Sequence, residues 1–96
     1  MTYEWDPVKA AANARKHRVT FEEAASMFLD PMALTFWDPD HSAEEDREIT
    51  IGRSAQQRVL FVAHAAREGR LRIISPRRAA RREQRQYGES RGEATR

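Results

Sequence analysis

The sequence contains no cysteine among its 96 residues. This absence excludes disulfide bonds, thiolate metal sites and a cysteine nucleophile. A chain without cysteine fits a reducing compartment, and we therefore expect a cytoplasmic protein.

Long apolar segments are also missing. No stretch approaches the ~20 apolar residues of a membrane span, and the N-terminus, MTYEWDPVKAAANARKH, lacks the apolar core of a signal peptide. We expect a soluble protein that does not bind a membrane. The length fits a single domain at residues 1–87, while residues 88–96 have little to bury and predict a disordered tail. A chain this small buries only roughly 60 to 65% of its unfolded surface, so a partner that adds buried surface is plausible.

Lysine is scarce, because only two of the 17 basic residues are lysine and the other 15 are arginine. The charges are also segregated along the chain. Residues 1–48 hold five basic and eleven acidic residues, a net charge of −6, whereas residues 49–96 hold twelve and four, a net charge of +8. A basic half indicates a phosphate-rich partner, to which guanidinium groups offer bidentate geometry. A GC-rich genome would explain the excess of arginine equally well.

Two helices are predicted near the N-terminus. Asp6 followed by proline starts a helix over residues 7–17, because the carboxylate accepts free N–H groups and proline suits the first helical position. Thr20 and Glu23 have the spacing of a capping box, which starts a second helix that ends at residues 30–31.

The pattern then changes to short segments rich in β-branched and aromatic residues, and hairpin-length separators make the last three an antiparallel meander. Residues 3–5 form either a short strand or an extended arm. The predicted fold class is therefore α+β, with two N-terminal helices, a four-stranded mainly antiparallel sheet and a C-terminal basic helix. The four predicted strands are 33–37, 47–52, 58–65 and 70–75.

The C-terminal segment is basic, with five arginines in the nine residues 77–85. Ser75 and Pro76 are typical of the cap and first residue of a helix, which Gly88 would close. At helical spacing the arginines share one face, and a polyanion would relieve their mutual repulsion. The alternative is a solvated face that is partly paired with acids of the first half. Glu83 would lie on the opposite, docked face, either in a buried ion pair or as a site residue.

Metal and cofactor sites find no support in the sequence. The three histidines, His17, His41 and His64, are far apart and lack metal-ligand spacing. The acidic loop at residues 38–46 lacks the glycine and the spacing of a calcium loop. We expect neither a metal ion nor a cofactor.

Six blocks of the sequence, spread from about Tyr3 to Tyr87, carry a family resemblance: EWD, KAAANARKH, VTFEEAASMF, ALTFWDPDH, REITIG and RIIS-RRA-RRE---Y. Together they resemble the BrnT toxins of bacterial type II toxin–antitoxin systems. The resemblance implies a fold similar to the RelE-like ribonucleases and an RNA-cleaving activity that arrests growth. It also implies a BrnA-type antitoxin, with which the toxin represses its own operon and through which alone it contacts operator DNA. The sequence departs from the family pattern at Arg18, where glycine is usual, and at Pro76, where alanine is usual.

Metal-independent RNA cleavage needs a base for the 2′-hydroxyl, cations for the phosphate and an acid for the leaving oxygen. We assign RNA binding to five basic residues and proton transfer to one of three other residues. For the tyrosine among these three, the alternative is a structural role as the anchor of the last helix. The rival function is a non-enzymatic nucleic-acid-binding or protein-interaction module. A dimer and a heterotetramer with the antitoxin both stay open. The predicted RNA-binding residues are Lys16, Arg77, Arg78, Arg81 and Arg82, and the candidate catalytic residues are His17, Glu83 and Tyr87.

Overall fold

Three α-helices and one five-stranded sheet make up the described part of the chain, residues 2–41 and 46–90 of a computed structural model. Within these residues no helix has the length and apolar character that crossing a membrane would require. In chain order the elements are β1 (Thr2–Glu4), α1 (Pro7–His17), α2 (Phe21–Met27), β2 (Leu34–Trp37), a short 3-10 turn (Pro39–His41), β3 (Arg47–Arg53), β4 (Val59–Arg67), β5 (Arg70–Arg78) and α3 (Arg81–Ser90).

The strand order across the sheet is β1-β5-β4-β3-β2. Strands β2 to β5 form an antiparallel meander, whereas β1 pairs in parallel with β5. The prediction of four mainly antiparallel strands is corrected to a mixed sheet of five. Three residues are too few for a sequence period to distinguish a strand from an arm. Tertiary contacts decide the matter, because Tyr3 packs against Phe28 with ring centroids 5.7 Å apart and Glu4 pairs with Arg70 at 3.6 Å.

Both N-terminal helices begin where the sequence predicts. Asp6 Oδ1 accepts hydrogen bonds from the N–H groups of residues 8 and 9, at 2.9 and 3.4 Å, and thereby caps α1. Thr20 Oγ1 accepts the N–H of Glu23 at 3.0 Å and caps α2. Only this half of the capping box forms, because the Glu23 carboxylate accepts hydrogen bonds from Ser54 and Arg58 instead.

Arg18 closes α1 in the left-handed region, with a φ of 58°. Its N–H donates to the carbonyl of Ala14 at 2.9 Å, and its own carbonyl accepts Arg58 Nη2 at 2.9 Å. Glycine adopts this conformation without steric cost. The bend therefore forms with arginine, but in a backbone conformation that glycine would favour.

The sheet has buried apolar residues on both faces. One face packs under α1 and α2, with a buried cluster that includes Val62 of β4 and Phe21 and Met27 of α2. The other face packs partly under α3, where Tyr87 lies on Ile49 and Ile51. Because α3 is short, part of this second face is left uncovered by it.

The predicted start of the third helix is wrong. Ser75 and Pro76 lie within β5, where Pro76 is paired with Val62 of β4, and α3 begins only at Arg81. Proline is tolerated here because β1 pairs only with residues 70–72 of β5, so that Pro76 lies where β5 has only β4 as a neighbour. Asn13 Nδ2 also donates to the carbonyl of Pro76, at 2.9 Å.

The end of the helix differs as well. Gly88 does not close α3, which continues to Ser90 and so includes three residues of the predicted tail. The remainder of that tail, residues 91–96, lies outside the described residues, as do residues 42–45 of the acidic loop.

Candidate functional site

A groove of about 600 Å³ lies on the sheet face that α3 covers only in part. Its floor follows one row of the strand register across β2, β3, β4 and β5, where Phe36, Ile49, Ala63 and Ser75 lie side by side. Side chains alternate along a strand, so the next residues of this face also reach the groove. They include Phe61, paired with Arg77 on β5, and Arg47 on β3.

Arg77 is fixed in the groove by two contacts. Its Nη1 and Nη2 atoms donate to the two carboxylate oxygens of Glu83 at 2.9 and 2.8 Å. Its guanidinium lies over the ring of Phe61, 4.0 Å from the centroid. Bidentate pairing and ring stacking together restrict the guanidinium to one orientation. The side chain is still 34% exposed, so an anion in the groove can reach it.

Glu83 is the structural partner of this arginine. Burial opposes the charged carboxylate, but hydrogen bonds from Arg77 and from the Ala80 N–H, the latter at 2.7 Å, hold the pKa of Glu83 below its ordinary value. The carboxylate is therefore ionised at neutral pH and satisfies an N–H group before the first turn of α3. Of the two alternatives open at the sequence level, these contacts favour the buried ion pair.

A histidine–aspartate pair lies at the opposite rim of the groove. His41, in the 3-10 turn after β2, lies with its Nδ1 3.0 Å from Asp38 Oδ2. The Asp38 N–H donates to the carbonyl of Arg47 at 2.9 Å, which fixes the turn against β3. A carboxylate partner places the imidazole proton on Nδ1 and leaves Nε2 able to accept a proton. The His41 side chain is 64% exposed, so a ligand in the groove can approach it.

Exposed aromatic rings complete the groove. Phe36 and Trp37, both on the edge strand β2, line it and are 37% and 59% exposed. Such rings offer nucleobases a stacking surface. Aromatic rings, two arginines and a histidine–aspartate pair therefore face one concave surface.

Most of the sequence-predicted site residues lie elsewhere. Tyr87 is buried in the second core, and its hydroxyl donates to Asp30 Oδ2 at 2.5 Å. These are the contacts of an aromatic anchor. His17 is half-buried at the end of α1, next to the exposed Lys16, and neither residue lines the groove.

The predicted arginine row is divided. Arg77 lines the groove and is the only one of the eight predicted residues to do so. Arg78, the next residue of β5, lines a different pocket. Arg81 and Arg82 are exposed in the first turn of α3. The single helical face therefore does not form, because its first two members belong to a strand. The roles of these residues in RNA binding and catalysis stay predictions.

The sequence reasoning missed Phe36, Trp37, Asp38, His41 and Arg47. Two signals were present: aromatic residues at consecutive positions of a predicted strand, and aspartate and histidine three residues apart in DPDH. DPDH was weighed only as a metal loop. In the described residues no group of three or more His, Cys, Asp or Glu side chains could hold a metal ion.

His64, the remaining histidine, lies on the other face, beneath α2. Its Nε2 is hydrogen-bonded to Thr50 Oγ1 at 2.7 Å, and Thr50 in turn to Thr35 Oγ1 at 2.7 Å. Its ring meets Phe28 edge-on with centroids 4.9 Å apart. Burial lowers the pKa of His64 to about 4. It is a neutral core histidine.

Comparisons with known proteins concern the family and the fold of the chain. The family model described as "Ribonuclease toxin, BrnT, of type II toxin-antitoxin system" matches residues 5–83. The structure is similar to the crystal structure of the Brucella abortus ribonuclease toxin, BrnT, with 22% sequence identity, a TM-score of 0.64, and coverage of 84% of this chain and 100% of that one. At this identity the likeness shows a shared fold. A search of curated proteins gives no match.

Proposed function

Since the chain belongs to the BrnT family of ribonuclease toxins of type II toxin–antitoxin systems, we propose that it cleaves RNA in the groove on the open face of its sheet. The observation that carries this proposal is that one groove contains both an oriented cation, Arg77, and a histidine–aspartate pair on the opposite rim. Metal-independent RNA cleavage needs a general base and a cation that stabilises the phosphate, and these two groups can supply them.

Substrate binding uses the floor and the rims of the groove. Unpaired bases stack on Phe36 and Trp37, which are exposed and belong to the edge strand. The phosphate between two such bases meets Arg77 and Arg47. Guanidinium groups bind phosphate oxygens in a bidentate manner, which aligns the phosphate as well as attracting it.

The proposed reaction is an attack of the ribose 2′-oxygen on the adjacent phosphorus. His41 Nε2 takes the 2′-hydroxyl proton while the O2′–P bond forms, and Asp38 stabilises the imidazolium that results. The P–O5′ bond breaks, and the leaving oxygen takes a proton from water. Arg77 stabilises the charge that grows on the phosphate oxygens. The products are a 2′,3′-cyclic phosphate and a 5′-hydroxyl, and no step uses a metal ion.

This proposal gives two of the three sequence-predicted catalytic residues supporting roles. Glu83 positions Arg77, and Tyr87 holds α3 against the sheet through Asp30. His17 has no part in it, since it does not line the groove.

The partner of a type II toxin is an antitoxin, and we propose a BrnA-type protein for this chain. The complex would repress its own operon through the DNA-binding domain of the antitoxin, in the cytoplasm. Its stoichiometry, a dimer or a heterotetramer, follows from the size of the purified complex in solution. These expectations depend on the family resemblance alone.

The test uses a single-stranded RNA and three proteins: the wild type, His41→Ala and the matched control His17→Ala. We expect the wild type and the control to produce 2′,3′-cyclic phosphate ends in the presence of a chelator, and His41→Ala to lose about 100-fold or more in rate. Induction of the wild type or of His17→Ala in bacteria should arrest growth, whereas induction of His41→Ala should not. Binding of RNA without cleavage by the wild type would instead favour the non-enzymatic binding module. Full activity of His41→Ala would exclude His41 as the base.

A further inference from the structure

A second pocket, of about 260 Å³, lies at the end of the sheet away from the histidine–aspartate pair. Three arginines and two glutamines line it, from the end of β3, the β3–β4 turn, β5 and α3. Arg53 in this pocket is six residues from Arg47 of the groove along β3, roughly 20 Å at the rise of a strand. The lining residues are Arg53, Gln57, Arg58, Val59, Arg78 and Gln84.

The charges of the pocket are only partly balanced. Arg58 pairs with the buried carboxylate of Glu23, and this hydrogen-bonded arginine holds the pKa of Glu23 below its ordinary value. Glu23 also accepts a hydrogen bond from Ser54 Oγ at 2.7 Å, which fixes the pair in the core. No carboxylate lines the pocket itself. Arg78 also helps, less than Arg58, to lower the pKa of Glu23. One carboxylate therefore serves two arginines, and together with Arg53 they keep a net positive charge for a ligand.

The fold holds the side chain of Arg53 and sets the direction of Arg78. The Arg53 guanidinium lies 5.7 Å from the centroid of the Tyr87 ring, and its Nη1 donates to the carbonyl of Gln57 at 3.4 Å. Arg78 directly follows Arg77 in β5, and adjacent strand residues point to opposite sides. One strand end therefore directs one arginine into the groove and the next into the pocket.

We propose that this pocket is a second phosphate site, which holds the RNA backbone several nucleotides away from the phosphate that is cleaved. This inference rests on the proposed function, because it treats the groove as the site of cleavage. The two arginines on β3, Arg47 of the groove and Arg53 of the pocket, are roughly 20 Å apart. RNA long enough to contact both should therefore bind better than short fragments. Binding energy from the remote phosphate then contributes to the rate of cleavage.

The test compares RNAs of increasing length that carry one cleavable ribose and are otherwise 2′-deoxy. For the wild type, kcat/KM should rise with length until the chain reaches the pocket. The double variant Arg53→Ala/Arg78→Ala should cleave the shortest RNA at the wild-type rate but lose roughly 10-fold or more on the longest. Its cleavage of long RNA should also depend less steeply on salt.

The matched control is Arg15→Ala/Arg67→Ala, which removes the same charge from two exposed arginines outside both sites. It should keep the length dependence. Arg78→Ala alone should show a smaller loss in the same direction, which keeps the test valid if the loss of Arg53 disturbs Tyr87. Thermal unfolding of each variant verifies the fold.

The outcomes separate the two proposals. If the wild type cleaves none of the RNAs, the proposed function fails and this inference fails with it. If the double variant keeps the full length dependence, cleavage is confirmed but the second phosphate site is excluded. If the double variant cleaves every RNA normally but escapes inhibition by the antitoxin, the pocket binds an acidic segment of that protein and not RNA.

Discussion

The carboxylate of Glu83 holds the guanidinium of Arg77 by two hydrogen bonds of 2.9 and 2.8 Å, although one residue belongs to a helix and the other to a strand. The same carboxylate accepts the Ala80 N–H just before α3. One buried acid therefore fixes both the start of the helix and the direction of the groove arginine. Loss of Glu83 should consequently affect activity and stability together.

Glu83→Gln tests this dual role. The amide cannot accept two charge-assisted hydrogen bonds, so Arg77 becomes free to rotate away from the phosphate. We expect kcat for RNA cleavage to fall roughly 10- to 100-fold with a smaller change in KM. The free energy of unfolding should fall by about 1–2 kcal/mol, less than for a fully buried pair because solvent screens the guanidinium. Glu22→Gln, an exposed acid on α2, is the control and should change neither quantity.

Because His41 and Asp38 form a pair, we expect the effects of their mutations on the cleavage rate to be non-additive. Asp38→Asn removes the carboxylate that orients His41 and stabilises its protonated form, so cleavage should slow about 10- to 100-fold. In a His41→Ala background the same change should have almost no further effect, because its partner is already gone. Single-turnover rates for the two single variants and the double variant measure this coupling. Independent, multiplicative losses would show that the two residues do not act as a pair.

Local signals allowed much of the fold to be predicted. The starts of α1 and α2 were found because Asp6 and Thr20 satisfy N–H groups within their own turn. Ser75 and Pro76 led to a wrong prediction because the partners that decide their structure are not local. The dipeptide suits the start of a helix as well as a strand that has only one neighbour. The strand forms because β1 pairs only with residues 70–72 of β5, and this pairing is a tertiary feature. A local pattern therefore predicts an element well only where its stabilising partners are also local.

The candidate site depends even more on tertiary structure. Phe36 and Ser75 are 39 positions apart in the sequence and reach one groove only through three successive strand pairings. The predicted arginine row, by contrast, required a continuous helix from residue 77. The end of β5 instead places Arg77 and Arg78 in two different pockets. Arg77 was predicted because its charge is visible in the sequence. His41 was missed because its importance comes from where the sheet places it.

The left-handed residue at the end of α1 predicts a stabilising substitution. Arg18→Gly removes the steric cost of a φ of 58° and keeps both backbone hydrogen bonds. We expect an increase of about 0.5–1 kcal/mol in the free energy of unfolding, or roughly 4 °C in Tm. Ala12→Gly, at an exposed position in the interior of the same helix, should instead cost about 1 kcal/mol. Opposite signs in thermal unfolding would confirm the conformational origin, and a loss for both would contradict it.

The buried histidine predicts how stability depends on pH. Burial lowers the pKa of His64 from 6.5 to about 4 in the folded chain, while the unfolded chain keeps the ordinary value. Above pH 6.5 the imidazole is neutral in both states, so it contributes no pH dependence. Between pH 6.5 and about 4 the unfolded chain binds a proton that the folded chain does not. Stability must then fall as the pH falls, by roughly 3 kcal/mol over the whole interval.

His64→Gln isolates this effect, because the amide can still form a hydrogen bond with Thr50 but does not titrate. The free energy of unfolding of both proteins is measured by urea titration at several pH values. Carboxylates such as Glu83, whose pKa lies below its ordinary value, also lose their contribution in acid, but they do so in both proteins and cancel in the difference. The difference should therefore be constant above pH 6.5 and should shift in favour of the variant as the pH falls towards 4. A difference that is independent of pH would mean that His64 is protonated equally in the folded and unfolded chains.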